Sequence, residues 1–236
     1  MNSAHSSHAV RDGSEHLDAL DQLLAGGVGR LTDAELLGAL LRHTWRGGDA
    51  VAAAGRLLRD AGGLRRLLAA EPGTSLTARR YTILQGALEL ARRHYQQELC
   101  AGPALESPAA TRNFLTAQLR DRPYEMFCVL FLDNRHRLIA FDEMFRGTID
   151  GASVHPREVV RQALQRNAAA VILAHNHPSG VAEPSQADEL ITLRLRDALG
   201  LVDIRVLDHL IVGDTRVVSL AERGVISVAA EGFGAP

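Results

Sequence analysis

Apolar residues recur at two different spacings along the chain, and the change between them divides it into two parts. Over residues 16–98 leucines return every three or four positions, as on one face of an α-helix. Thr32 and Glu35 have the spacing of a capping box before one such run. The helices predicted here follow Thr32, extend from Asp49 to Gly62, and occupy 64–70 and 77–98. We therefore predict a small all-α bundle over 16–98.

The second part mixes short runs of Val, Ile, Leu and Phe, which are typical of β-strands, with further helical patterns. This alternation predicts an α/β domain over 107–228. A linker of small residues and proline at 99–106 precedes it, and the polar tail 1–15 is predicted to be disordered. The predicted elements are a helix at 107–119, a hairpin of 125–133 and 137–145, a helix at 155–167, a buried strand at 169–175, a helix at 185–199, and strands at 202–207, 209–212 and 216–220.

Composition excludes several kinds of chemistry. The 236 residues contain 26 basic residues, all of them arginine, against 28 acidic ones, and the net charge is −2. Without lysine the chain cannot form a Schiff base through a lysine or a phosphate-binding loop of the GxxxxGK[ST] type. So small a net charge produces no strong attraction to nucleic acid or to an anionic membrane surface.

The cysteines and the apolar runs of the sequence indicate the cellular compartment. Cys100 and Cys128 lack the spacing of metal ligands, and two cysteines do not form a disulfide framework. The N-terminal residues lack the apolar core of a signal peptide, and no apolar run is long enough to cross a bilayer. We expect a protein of the cytoplasm that makes no membrane contact.

The clearest chemical pattern lies between residues 172 and 188. His175 and His177 stand two apart at the end of a predicted strand, so strand alternation places both imidazoles on one face. A short loop with glycine and proline follows, and Asp188 lies one turn into the next helix, where its carboxylate can point back. Two imidazoles, a carboxylate and a water would form the open four-coordinate site of a catalytic zinc ion, Zn2+.

Each part of this pattern also has a structural interpretation. Ser185 and Asp188 fit a capping pair for the helix at 185–199, and pairs of histidines at strand ends are common. His209 is interpreted as a buried histidine that is held by a structural hydrogen bond. The combination of strand, histidine pair, loop and helix start is what favours the metal site.

The combination resembles a known protein family. The segment His175-Asn176-His177-Pro178-Ser179-Gly180, followed by Ser185 and Asp188, matches the H-x-H-x7-S-x2-D pattern of JAMM metalloproteases with MPN-type domains. Together with the segments 155–158 and 207–213 it is similar to the bacterial RadC family. The resemblance is strong over 107–225 and weaker over 16–98. It implies an α/β fold of the MPN/cytidine-deaminase-like kind, with a mixed sheet and flanking helices, after the helical bundle.

The resemblance also implies roles for individual residues. JAMM sites use a glutamate at the start of the first strand as general base, and Glu125 matches that position, with Glu143 as its rival. The Ser185 hydroxyl would donate a hydrogen bond to the oxyanion that forms at the attacked carbonyl. The metal ligands that the resemblance implies are His175, His177 and Asp188.

Two functions from different classes follow from these patterns. The first is a zinc-dependent metalloprotease or hydrolase that acts on an unknown peptide or isopeptide. The alternative is a DNA-repair or recombination accessory protein that binds DNA or a protein partner without catalysis. The N-terminal part resembles a helix-hairpin-helix module, which binds phosphate through a glycine-rich turn. Here that segment has one glycine, Gly73, followed by Arg79 and Arg80, and this departure counts against DNA binding.

Overall fold

The computed structural model describes residues 26–45, 47–71, 73, 76–100, 102, 108–147 and 154–226. The chain forms two compact units, Met1–Ala87 and Leu88–Pro236. Several sequence predictions lie outside the described residues: the tail 1–15, residues 16–25 of the bundle, Ser107 at the start of the helix predicted over 107–119, most of the linker 99–106, and residues 227–228 at the end of the α/β domain.

The described part of the first unit is helical, as the leucine spacing predicts. Its elements are α1 (Asp33–Leu41), α2 (Ala50–Ala61), α3 (Leu64–Ala69) and the first part of α4 (Ala78–Cys100), with 3-10 turns at Val28–Arg30 and Arg42–Thr44. The helix α4 continues two residues beyond its predicted end at residue 98. The core consists of leucines and one alanine: Leu37, Leu41, Ala54, Leu57, Leu67, Leu76 and Leu84.

Two helix starts in this unit use the capping side chains that the sequence indicates. Thr32 and Glu35 form a reciprocal capping box at the start of α1. The Asp49 carboxylate accepts hydrogen bonds from the N–H groups of Val51 and Ala52 at 2.9 and 3.1 Å. It thereby satisfies two donors that the first turn of α2 cannot pair within the helix.

Arg80, which follows the single glycine of the segment that resembles a helix-hairpin-helix module, is engaged within the first unit. Its guanidinium carbon lies 3.6 Å from the centroid of the Trp45 ring, an arrangement that cation–π attraction stabilises. The same guanidinium donates to the hydroxyl and the carbonyl oxygen of Thr44 at 3.0 and 3.3 Å. Binding of a phosphate by Arg80 would require these contacts to break.

The second unit contains a five-stranded mixed sheet with flanking helices, which confirms the predicted α/β class. The strand order is β2-β1-β3-β4-β5, and of the described strand pairs only β3–β4 is parallel. Its elements are α5 (Pro108–Leu119), β1 (Met126–Leu132), β2 (Leu138–Arg146), α6 (Pro156–Gln165), β3 (Ala170–Asn176), α7 (Gln186–Gly200), β4 (Arg205–Val212) and β5 (Val217–Ser219).

The fourth strand differs from its prediction. The sequence indicates strand-like segments at 202–207 and 209–212, whereas a single strand runs over Arg205–Val212. Leu207 is an extra residue in the pairing with β3, a β-bulge that lets the strand continue through Asp208. The Asp208 carboxylate is accommodated because it accepts hydrogen bonds from three neighbours, the N–H groups of His209 and Ala221 and the Ser219 hydroxyl.

Helices cover both faces of the sheet, so its central strands β1 and β3 are buried along their whole length. On one face Phe127 and Leu173 belong to the same core as Leu195 of α7. On the other face Cys128 belongs to the same core as Leu115 of α5. Burial raises the pKa of the Cys128 thiol, so this side chain stays protonated and packs as an apolar group.

The longest helix described, α4 with 23 residues, carries charged side chains along its length. Among the described residues no helix combines the length and the apolar character that a membrane span requires.

Replacing Asp49 by alanine should destabilise the first unit, because the Val51 and Ala52 N–H groups lose their acceptor. We expect the free energy of unfolding to fall by about 1 kcal/mol, the usual effect of losing an N-cap. The Asp49→Asn variant should retain most of the wild-type stability, because its side-chain oxygen can still accept these hydrogen bonds. Trp45 is the single tryptophan of the chain, so urea unfolding followed by its fluorescence reports on this unit. An unchanged midpoint for Asp49→Ala would contradict the capping role.

Candidate metal centre

Four acidic and histidine side chains meet where β1 begins and β3 ends. One donor atom from each of Glu125, His175, His177 and Asp188 lies within 4.8 Å of the others, and such a group can hold a metal ion. Antiparallel pairing of β1 and β3 brings the two strand ends together, since Phe127 lies opposite His175. The structure thus assembles, from two strand ends and a helix start, four residues that were predicted to form the site.

The two imidazoles of this cluster face each other through their Nε2 atoms, which are 3.0 Å apart in His175 and His177. The His177 Nδ1 atom lies 2.7 Å from the carbonyl oxygen of Val181. Because a carbonyl oxygen only accepts, Nδ1 carries the hydrogen and a neutral His177 presents a lone pair at Nε2. His175 is fully buried, whereas the His177 side chain is 18% exposed, so the cluster is accessible from the side of His177.

The Asp188 carboxylate connects the start of α7 with both histidines. Its Oδ2 accepts hydrogen bonds from the Ser185 N–H and hydroxyl groups, both at 2.7 Å, and the Ser185 hydroxyl accepts from the Asp188 N–H at 3.2 Å. These bonds form a reciprocal capping box. Asp188 Oδ1 lies 3.2 Å from His175 Nε2, and Oδ2 lies 3.5 Å from His177 Nε2. Helix capping and a position beside the histidines are therefore compatible in one geometry.

The charges of the cluster follow from these contacts. Burial acts to raise the pKa of Asp188, but the close approach of the His175 and His177 imidazoles outweighs it and holds that pKa well below its usual range. Burial lowers the pKa of His175, against the influence of Asp188. The neighbouring Asp188 carboxylate raises the pKa of His177. At neutral pH Asp188 is an anion and His175 is neutral, which are the states that metal ligands require.

The two glutamates considered as general base lie in different surroundings. Glu125 Oε1 is 3.9 Å from His175 Nε2, and the Glu125 side chain is only 11% exposed. Glu143 lies on β2, where it forms an ion pair with Arg122. Of these two glutamates, Glu125 belongs to the cluster and Glu143 does not.

Asn176, between the two histidines, holds the segment that carries Glu125, a role that was not predicted from the sequence. Its Oδ1 accepts a hydrogen bond from the Met126 N–H at 2.9 Å, and its Nδ2 donates to the Tyr124 carbonyl at 3.0 Å. These two backbone groups flank Glu125 on either side. A polar amide at the end of an apolar buried strand is the signal that could have indicated this, because buried amides require partners.

His209 is buried, in agreement with its interpretation from the sequence, and it also contacts the cluster. Its Nε2 lies 2.8 Å from His175 Nδ1, and its Nδ1 lies 2.5 Å from the hydroxyl oxygen of Thr192 on α7. Burial lowers the pKa of His209 well below its usual value, so this imidazole is neutral. Phe127 packs nearly parallel to the His175 ring and edge-on to the His209 ring. Nothing in the sequence spacing of Thr192 indicated these contacts.

The loop that connects β3 with α7 depends on a glycine. Gly180 has a φ of 83°, in the left-handed region that residues with a side chain rarely adopt. A Cβ atom at this position would lie 2.5 Å from the carboxyl carbon of Asp214. The Gly180 carbonyl also accepts a hydrogen bond from the Asp214 N–H at 2.9 Å. The loop therefore packs closely on the turn after β4, which fixes the path of the chain beyond His177.

Comparison with known sequences gives two matches that together span most of the chain. A family model described as the RadC-like JAB domain matches residues 105–225. A second, described as the UPF0758 N-terminal region, matches residues 14–80. The chain belongs to the RadC family. All four residues of the cluster lie within the JAB-domain match.

Curated relatives in the RadC family carry the name UPF0758 protein. The protein of Thioalkalivibrio sulfidiphilus is 61% identical over 211 residues, which cover 87% of this chain and 94% of that protein. The protein of Halorhodospira halophila is 58% identical over 213 residues, with the same two coverages. The protein of Nitrosococcus oceani is 55% identical over 225 residues, 92% of this chain and all of the relative. The family resemblance inferred from the sequence motif is thereby confirmed.

Replacing Gly180 by alanine in this RadC protein should destabilise the second unit. The new Cβ would clash with Asp214, and the positive φ is unfavourable for alanine, so we expect a loss of about 1–3 kcal/mol of unfolding free energy. Gly200→Ala is the matched control, because a Cβ at Gly200 would meet no atom within 4 Å. Urea unfolding followed by circular dichroism measures both. Equal stability of the two variants would contradict the close packing of this loop.

Replacing Asn176 by alanine should free the segment around Glu125, since the Met126 N–H and the Tyr124 carbonyl both lose a buried partner. We expect the unfolding free energy to fall by about 1–3 kcal/mol, and amide exchange at Met126 to accelerate far more than at Val129. Asn134→Ala, at an exposed turn position, is the matched control. Unaltered exchange at Met126 would show that Asn176 does not hold this segment.

Proposed function

We propose that this RadC protein is a zinc-dependent hydrolase of the JAMM type, which cleaves an amide bond in a peptide or isopeptide. The observation that carries the proposal is the convergence of electron-rich atoms. His177 Nε2 presents its lone pair because Nδ1–H donates to Val181, and it lies 3.0 Å from His175 Nε2 and 3.5 Å from the anionic Asp188. Such atoms repel one another unless a cation or a proton lies among them.

The donor set fits a zinc ion. Ligand atoms at the usual zinc distances in a tetrahedral site lie about 3.3 Å from each other. The corresponding distances among the donors here are 3.0, 3.2 and 3.5 Å. Two imidazoles beside one carboxylate suit zinc better than magnesium or calcium, which prefer oxygen ligands throughout. The proposed ligands are His175, His177 and Asp188.

A bound zinc ion would supply a Lewis acid that polarises a carbonyl group and lowers the pKa of water to roughly 7. Glu125 is the proposed proton carrier, because its carboxylate belongs to the cluster and yet is farther from His175 than the Asp188 carboxylate is. Water adds to the carbonyl carbon and the C–N bond breaks. Glu125 takes one proton from the water and passes it to the leaving amine nitrogen.

Ser185 has two roles in the proposed mechanism. Its hydroxyl donates to Asp188 Oδ2 at 2.7 Å, so in this geometry it orients a proposed metal ligand. To donate to an oxyanion at the attacked carbonyl, the hydroxyl would have to turn away from Asp188. We propose both roles, with the capping contact as the resting arrangement.

Any isopeptide substrate with a lysine-linked bond must be another protein. The chain contains no lysine, so a second copy cannot offer such a bond through its own side chains. The partly exposed His177 marks the side from which a substrate would approach.

The non-catalytic DNA-binding alternative gains no support from Arg80, because its guanidinium is engaged with Trp45 and Thr44.

Full-length protein purified without chelators should contain about one zinc ion per chain. His177→Ala should lose most of it, because one of three protein ligands is removed. His94→Ala, an exposed histidine on α4 outside the cluster, should keep the wild-type content. Elemental analysis by mass spectrometry measures the metal. A wild-type chain that stays free of metal even after incubation with zinc would refute the proposal.

The Glu125→Gln variant separates metal binding from chemistry in the same experiment. It should retain zinc, because Glu125 is not a proposed ligand. Its rate on a library of peptide and isopeptide substrates should fall about 10²–10⁴-fold, the usual effect of losing a general base. Wild-type rates in Glu125→Gln would exclude Glu125 as the proton carrier.

A further inference from the structure

We propose that Thr192 and His209 are positioning residues that fix the tautomer of His175, so that its Nε2 lone pair points into the metal cluster. The inference rests on the proposed metal site and assigns it two residues outside the JAMM pattern. It follows from one chain of contacts, which runs from the Asp188 backbone carbonyl through Thr192 and His209 to His175.

The first contact sets the direction of hydrogen-bond donation along this series of contacts. The Thr192 hydroxyl oxygen lies 2.5 Å from the Asp188 carbonyl oxygen. Two oxygens this close repel unless a hydrogen lies between them, and a carbonyl oxygen cannot supply it. The single hydroxyl hydrogen of Thr192 is therefore donated to Asp188. Toward any other neighbour, the Thr192 oxygen acts only as an acceptor.

The second contact determines the tautomer of His209. Its Nδ1 lies 2.5 Å from the Thr192 oxygen, which accepts, so Nδ1 carries the hydrogen. Both residues have no exposed surface, so water does not replace this hydrogen bond. A neutral imidazole with a hydrogen on Nδ1 has its lone pair on Nε2. His209 therefore accepts a hydrogen bond at Nε2.

The third contact connects His209 to the metal cluster and determines the tautomer of His175. His209 Nε2 lies 2.8 Å from His175 Nδ1. Because His209 accepts, His175 Nδ1 donates, and the lone pair of His175 is on Nε2, the atom that faces His177 and Asp188. The hydrogen bonds from Thr192 through His209 to His175, here called the relay, hold His175 in this state. The Val181 carbonyl holds His177 in the same state. Both histidines are thus held in the tautomer that binds a metal through Nε2.

The β-bulge at Leu207 is what places His209 in the relay. Val206 belongs to the core on the α6 and α7 side of the sheet, and Leu207 belongs to the core on the other side. Strict alternation would turn Asp208 toward α7 and His209 away from it. The extra residue shifts the pairing by one, so His209 lies opposite Leu173 and reaches Thr192 on α7.

The relay also joins two of the proposed metal ligands. Thr192 holds the backbone of Asp188, and His209 holds the ring of His175, while Asp188 Oδ1 lies 3.2 Å from His175 Nε2. These contacts form a closed ring of interactions that is buried throughout. Partners of this kind orient metal-binding histidines, and their loss typically weakens metal binding 10- to 100-fold.

The test compares Thr192→Val with Thr192→Ser in the full-length chain. Valine keeps the shape of threonine but removes the hydroxyl, so the buried His209 Nδ1–H loses its acceptor. His209 should then move its hydrogen to Nε2 and donate to His175 Nδ1, which leaves the hydrogen of His175 on Nε2. Zinc affinity, measured by competition with a chromogenic chelator, should fall about 10- to 100-fold. Thr192→Ser keeps the hydroxyl and should restore affinity to within a few-fold of wild type.

A spectroscopic measurement keeps the inference independent of zinc binding. Two-bond ¹⁵N–¹H correlation spectra of the metal-free chain at alkaline pH report which nitrogen of His175 carries the hydrogen, with His175→Ala for assignment. The expected state is Nδ1–H in wild type and Thr192→Ser, and Nε2–H in Thr192→Val. A wild-type His175 with its hydrogen on Nε2 would overturn the relay, whatever the variants do. Loss of zinc binding without any tautomer change would also overturn it. Absence of zinc binding with the expected tautomers would instead count against the proposed function alone.

Discussion

One carboxylate, that of Asp188, is the point on which the geometry of the candidate site depends. It caps α7 through Ser185, and it lies beside His175 and His177 at the end of β3. The carboxylate is buried, and such a charge is stable only where hydrogen bonds or opposite charge compensate it. The same carboxylate therefore stabilises the start of the helix and contacts both histidines. Movement of α7 relative to β3 would leave the cap intact but would separate the Asp188 carboxylate from both histidines.

The remaining members of the site are held by similar backbone contacts, so folding alone brings them together. Asn176 binds the chain on both sides of Glu125, and Gly180 allows the loop after His177 to pack on Asp214. Antiparallel pairing of two fully buried strands supplies the rigid base on which these contacts rest. A metal ion that binds such a site meets donors already in position, and little conformational entropy is lost on binding.

Local patterns in the sequence were sufficient for the helices, most strands and three members of the cluster, because spacing along one chain segment determines each of them, whereas Glu125 was implied by the family resemblance. The histidine pair lies on one face because strand side chains alternate, and Asp188 follows from the helix start. Contacts between segments were not predictable. Those of Asn176 depend on the pairing of β1 with β3, and that of Thr192 depends on a bulge at Leu207 that reverses the direction of His209. A one-residue change of register, invisible in the local pattern, decides which side chain faces the site.

The position of Cys128 has a consequence for redox behaviour. Its thiol is buried on the face of β1 opposite to Phe127, and burial keeps it protonated. The cluster itself consists of two imidazoles and two carboxylates and contains no sulfur. Thiolates are the groups that peroxide and disulfide exchange modify first. The cluster therefore lacks the group through which such oxidants inactivate an enzyme with a cysteine nucleophile.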